Sequence, residues 1–221
     1  LATLVNYACH PTTLAWENTA ISPDFPGAMR ELIENETAQA RCLFLQGASG
    51  ELAPAEQYSG DPALADRHGR ELGHSALATL APMMTGQSHL RFEGLMESGA
   101  PLAIWQPCSQ TADPTVRALV IPIDLPLKPD LPSMADVEQA LSKVEDGFQR
   151  TRWMRKKGVR QSVGDGPNFT AKLWVWRLGD AAVVAMPFEA YSIFQIELRA
   201  AFPEVPIIML NTTNGHIGYI P

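Results

Sequence analysis

Four short apolar runs, at 1–9, 41–46, 181–186 and 205–210, each give way at once to a segment rich in polar or hydroxyl residues. This pattern constrains the fold more than any other feature, because short apolar runs bounded by turn residues read as buried strands. Between the first two lies a stretch of helical periodicity at 26–37, with Ala28, Met29, Leu32 and Ile33 on one side. Asp24-Phe-Pro26 opens it, with the proline early, where its missing N–H costs nothing. Strand, helix and strand in succession suit a βαβ unit, which favours parallel pairing. The expected fold is α/β: a mixed, largely parallel sheet with flanking helices, in one domain over 1–221.

The rest of the chain fills in that outline. Asp61 and Pro62 open a long helix over 62–80. His68 and His74 fall on it six apart, a spacing that does not put both on one metal-binding face. Residues 88–96 and 116–124 read as strands, with Pro122 marking the second as an edge strand or an early end. A proline-rich connector at 126–132 is the best internal boundary. Ser133-x-x-Asp136 then caps a helix through about residue 157, followed by a loop at 158–167. Gly179-Asp180 joins the runs 169–178 and 181–186 as a hairpin, and a helix follows over 190–201.

Composition narrows the function. Hydrophobic residues at 46% and charged residues at 19% belong to a globular, enzyme-like chain. A net charge of −7 argues against a nucleic-acid partner, which requires a basic face for phosphates. The basic cluster at 150–160 is the local exception and reads as a solvated helix end, with a phosphate or lipid-headgroup patch as the alternative. Cys9, Cys42 and Cys108 form no CxxC pair, so neither a disulfide framework nor a cysteine-built zinc site is expected. No apolar run is long enough to span a membrane. The residues leave the oligomeric state open.

Chemistry concentrates after the four strands. His10, in Asn6-Tyr-Ala-Cys-His-Pro-Thr-Thr, ends the first run; the second leads into Phe44-Leu-Gln-Gly-Ala-Ser-Gly-Glu-Leu-Ala-Pro54. The third leads into Met186-Pro-Phe-Glu189, and the last into a loop containing Asn214-Gly-His-Ile-Gly-Tyr-Ile-Pro221. In open α/β sheets ligands bind beyond the carboxyl ends of the strands, so these segments are expected to converge on one edge. Asp24 has two readings, as an N-cap for the helix at 26–37 or as the partner of a ligating His10.

In order and over the whole chain, these motifs resemble the neutral (non-lysosomal) ceramidase family and its ceramidase-like relatives. There a His-Pro-Thr segment, a Phe-x-Gln…Gly-Asp-x-Ser-Pro loop, a glutamate after a strand and an Asn-x-Tyr-x-x-Tyr segment build one zinc site. The resemblance implies zinc as cofactor, with His10, Glu189 and Tyr219 as ligands. It implies catalytic roles for Glu51 and His216, and substrate-binding or supporting roles for Asp24, Gln46 and Ser49. The implied activity is zinc-dependent hydrolysis of an N-acyl bond in a ceramide-like substrate, a small molecule or lipid. The alternative is a non-catalytic lipid- or carbohydrate-binding module on the same scaffold. Three departures stand out: Ala53 replaces the serine before the proline, Glu51 replaces the aspartate, and His216 replaces the first tyrosine. The family's upstream His-x-His-Ser-Gly-Pro segment, source of a further ligand histidine, has no counterpart. The chain is therefore expected to be the middle of a longer protein, with secretion or periplasmic export implied by the resemblance.

Overall fold

The structure, a computed structural model, describes residues 2–84 and 88–221. Leu1, the expected start of the first strand, lies outside the described residues. Strand β1 (Ala2–Tyr7) leads through a loop to helix α1 (Phe25–Glu36), and strand β2 (Arg41–Gln46) returns parallel to β1. Helix α2 (Pro62–Leu80) packs on α1. Asp61 caps α2 by accepting from the Ala63 N–H, and Pro62 occupies its first turn. Met29, Ile33, Cys42 and Val5 form a buried cluster between this helix pair and the β1–β2 ladder.

An antiparallel pair follows, β3 (Ser88–Glu97) with β4 (Pro101–Ser109), the latter a strand that the sequence reading lacks. β5 (Val116–Pro126) is the edge of a four-stranded sheet and leads to helices α3 (Met134–Lys143) and α4 (Phe148–Val163). The single helix expected through residue 157 is thus two, and α4 runs on through residues expected to be a loop. α3 ends at Val144, which is extended, and α4 starts after Gly147, whose φ of 126° is open to glycine for want of a Cβ. Ser133 and Asp136 form the reciprocal capping box at the start of α3.

β6 (Asn168–Leu178) and β7 (Ala181–Ala185) form the expected hairpin around Gly179-Asp180. β8 (Glu189–Ala190), helix α5 (Ser192–Ala201), β9 (Ile207–Leu210) and β10 (Tyr219–Ile220) complete the chain. The expectation of a largely parallel sheet is corrected here. Among the described residues, the long ladders β3–β4, β5–β6 and β6–β7 are antiparallel, and β1–β2, β7–β9 and β8–β10 are the parallel ladders. A two-residue turn such as 179–180 can join only antiparallel neighbours, whereas α1 between β1 and β2, and α5 between β7 and β9, give those pairs the crossover length that parallel pairing needs.

The parallel pairs come together at their carboxyl ends. The Asn6 side chain donates to the carbonyls of Leu45 and Met209, and the Asn211 N–H donates to the Gln46 carbonyl at 3.0 Å. A second core, built on Met186, Phe188, Val184 and Met209, lies under this junction. No helix among the described residues is long and apolar enough to cross a membrane.

The α1–α2 contact depends on a close approach at Gly69, where an added Cβ would sit 2.4 Å from the Phe25 carbonyl and 2.7 Å from the Ala28 Cβ. Gly69→Ala should therefore destabilise the protein by about 1–3 kcal/mol through overpacking, despite alanine's better helix propensity. Gly158→Ala in α4, with nothing within 4 Å, should stabilise it by about 0.5–1 kcal/mol. Urea denaturation of both variants, read against unmodified protein, checks the opposite signs.

Candidate functional site

His10 sits three residues beyond β1, and its orientation is fixed by one backbone atom. The Leu52 carbonyl accepts both the His10 backbone N–H, at 2.8 Å, and the ring Nδ1–H, at 2.9 Å. With Nδ1 committed as a donor, Nε2 is left to face the site. The loop that supplies Leu52 is pinned in turn by Gln46, whose amide donates to the Cys9 carbonyl at 2.9 Å and to the Ser49 hydroxyl. The same loop passes close under β8: a Cβ on Gly50 would meet the Tyr191 ring at 2.5 Å and the Glu189 carbonyl at 2.9 Å. Glycine is needed there so that the histidine-holding loop and the glutamate-bearing strand can touch.

Glu189 reaches the same point from the other side. Its Oε2 lies 2.5 Å from His10 Nε2, and its Oε1 lies 2.7 Å from His216 Nε2. Tyr219, beside Glu189 in the β8–β10 ladder, brings its hydroxyl to 3.5 Å from His10 Nε2 and stacks on the His10 ring. Burial, then the hydrogen bond and charge of Glu189, push the Tyr219 phenol up to about 12, so the phenol is neutral and a donor. His10 Nε2 and Glu189 Oε2 form the shortest contact among His10, Glu189, His216 and Tyr219.

Four expected site residues (His10, Glu189, His216 and Tyr219) thus meet at one point, contributed by three chain segments. The other four surround it in different ways. Glu51 stands at the rim with both carboxylate oxygens on the Ser192 N–H, at 2.9 and 3.0 Å, and a further bond from the Ser192 hydroxyl. Burial alone would raise its pKa, but the Ser192 hydrogen bonds hold it below the ordinary carboxylate value. Gln46 braces the loop. Ser49 is fully buried, with its hydroxyl turned to Gln46 rather than to the site. Of the two readings for Asp24, the cap is what forms: its carboxylate accepts from the Phe25 and Leu14 N–H groups, each at 2.7 Å. The other ring N–H of His10 goes to Leu52 instead.

Cys9, next to His10, is not poised as a nucleophile, since burial and then the charge of Asp24 push its thiol up to about 11. Sequence reasoning missed Leu52 and Ser192, and for a physical reason: a backbone carbonyl leaves no side-chain signature. Ser192 at the start of an amphipathic segment is a legible N-terminal signal, but the identity of its partner is not.

Two imidazoles and a carboxylate are donor types that zinc takes, whereas a phenol is not among its usual ligands. Among the described residues, however, no group of three or more His, Cys, Asp or Glu side chains is spread as a metal ion requires. The donors bond one another instead. Two ligands of a tetrahedral zinc stand about 3.3 Å apart, so seating an ion would require the 2.5 Å His10–Glu189 contact to open by a little under 1 Å.

Two solved structures share this fold. One is the neutral ceramidase from Pseudomonas aeruginosa, with a TM-score of 0.54 at 14% identity over 98% of this chain. The other is a ceramidase complexed with C2, with a TM-score of 0.53 at 14% identity over the same share. The chain spans only 38% and 39% of the length of those proteins. No protein-family model and no curated protein matches the sequence, so the likeness is one of fold.

The Glu51–Ser192 contact yields a stability prediction. Glu51→Ala removes the cap of α5 and should cost about 1 kcal/mol at neutral pH, with little added by the solvent-screened charge. Because folding lowers the Glu51 pKa, the unfolded state binds more protons as pH drops. The contribution is therefore full above the unfolded carboxylate pKa and is lost as pH falls through the lower folded value. Urea midpoints of the two proteins should differ at pH 7 and converge in acid.

Proposed function

We propose that this chain carries the site of a zinc-dependent hydrolase of the neutral ceramidase type, cleaving an N-acyl bond in a ceramide-like or related substrate. The observation that carries the reading is the meeting of His10, His216 and Tyr219 around both oxygens of Glu189. The fold shared with two ceramidases supports it.

In this reading His10, Glu189 and Tyr219 hold the metal, which supplies an activated water and polarises the scissile carbonyl. Leu52 keeps the His10 ring in the tautomer that offers Nε2. Glu189, 14% exposed in its side chain, fixes the directions of both imidazoles from a water-poor position. His216, with a side chain about half exposed, is the group that passes a proton to the departing amine. Glu51 serves the site by anchoring the Leu52 loop to α5, although its rim position also lets it meet a polar substrate group. Since Ala53 has no hydroxyl, amide cleavage here proceeds without a serine contact to the substrate.

The test is hydrolysis of a short-chain fluorescent ceramide by the full-length protein, with zinc content measured on the same samples. Glu189→Ala and His10→Ala should each lose at least about a hundredfold in turnover and most of the bound zinc, with the fold retained. Chelation should abolish turnover and zinc should restore it. Unchanged zinc content in Glu189→Ala refutes the ligand assignment. Zinc binding without turnover of any N-acyl substrate would leave a binding module in place of the enzyme.

A further inference from the structure

Helix α4 stands out against the charge of the rest of the chain. Its sixteen residues include Arg150, Arg152, Arg155, Lys156, Lys157 and Arg160 and no Asp or Glu, in a protein of net charge −7. Half of these cations serve the fold. Arg160 is buried and donates to the carbonyls of Leu131, Pro132 and Gly164. Lys157 pairs with Glu138, and Arg150 pairs with Asp146 and donates to the Leu141 and Val144 carbonyls. Among the described residues, none of the ion pairs involves Arg152, Arg155 or Lys156.

Those three lie four, seven and eight residues after Phe148, on the same side of the helix. Phe148 is 73% exposed. The Arg152 guanidinium sits 5.8 Å from the Phe148 ring centre, and the Lys156 ammonium 4.5 Å from that of Trp153. Cations and aromatic rings are therefore presented at one level. An ordinary solvated helix mixes acids with bases on its outer face, whereas this face offers positive charge, no acid and one exposed ring, Phe148. That composition matches helices that lie on anionic lipid, with rings in the headgroup layer and bases on the phosphates.

We propose that α4 is the surface by which this protein docks on membranes containing anionic phospholipid, with Phe148 entering the headgroup layer and Arg152, Arg155 and Lys156 on the phosphates. The inference does not depend on the hydrolase reading, since docking is measured without turnover. Nucleic acid is the less favoured occupant, because the negative charge of the rest of the chain opposes a long polyanion.

The experiment is co-sedimentation of the full-length protein with vesicles of phosphatidylcholine alone or mixed with phosphatidylglycerol. Binding should require phosphatidylglycerol and be released by raised salt. The R152Q/R155Q/K156Q triple variant should bind on the order of a hundredfold more weakly, as each base near such a surface contributes roughly fivefold. Phe148→Ser should weaken binding while leaving it salt-sensitive. An R41Q/R70Q/R117Q control, which removes three exposed bases elsewhere, should bind nearly as the unmodified protein does. Far-UV circular dichroism checks that the variants fold, and the salt titration decides the matter on unmodified protein. Equal binding to phosphatidylcholine alone, no binding to either vesicle, a triple variant that binds as the unmodified protein does, or tighter binding to single-stranded RNA would overturn the proposal.

Discussion

The site depends on the junction of two parallel strand pairs. His10 follows β1 and Glu189 follows β7, 179 positions apart in sequence, and nothing local brings them together. The Asn6 side chain does much of that work, because its two donor hydrogens reach β2 and β9 at once. Asn211 repeats the link one step further on: its N–H goes to Gln46 and its side chain donates to the Ala190 carbonyl at 3.2 Å. Its Oδ1 is buried without a partner, an arrangement that typically costs 1–3 kcal/mol. A residue kept at that cost is one whose donors matter more to the fold than its acceptor. Here they close the gap between β2 and β8, and so set the distance between a histidine and a glutamate.

Much of this was legible in the sequence, and the reason differs from feature to feature. The α2 boundaries follow from Asp61 and Pro62 and from a 3.6-residue apolar period, all local signals, and the helix forms over the expected residues. The 179–180 hairpin is likewise dictated by its turn. Strand direction is another matter. The sequence reading favoured parallel pairing for the four site-bearing strands and so a largely parallel sheet, but β5 and β6 pair antiparallel across a connection that contains two helices. Either direction is sterically available after so long a connection, and the choice is made by packing between distant residues. The division of α3 from α4 falls where Val144 is extended and Gly147 takes a positive φ, inside the span expected as one helix.

The site shows the same division between local and distant information. Placing His10, Glu51, Glu189 and His216 at strand ends required only the pattern of apolar runs. Assigning their partners required the fold. Asp24 illustrates this, because a carboxylate preceding a helix satisfies the capping rule from sequence alone, and two N–H groups saturate it before any histidine can. The histidine then takes its second partner from a backbone carbonyl, the one kind of acceptor that every residue carries and no sequence marks.

Glu189 makes the centre a single coupled unit rather than a set of separate contacts. Each of its oxygens faces one imidazole, and the first imidazole is also approached by Tyr219. A change at His216 alters the charge that Glu189 presents to His10, and a change at Leu52 or its loop alters which His10 nitrogen Glu189 meets. Groups that share one hydrogen-bond network do not contribute additively. The supporting residues Gln46, Gly50 and Glu51 consequently bear on the chemistry without touching its centre: each holds the loop whose one carbonyl fixes the His10 ring. Loop, strand end and carboxylate form one arrangement, and the direction of a single imidazole nitrogen is where their geometry meets.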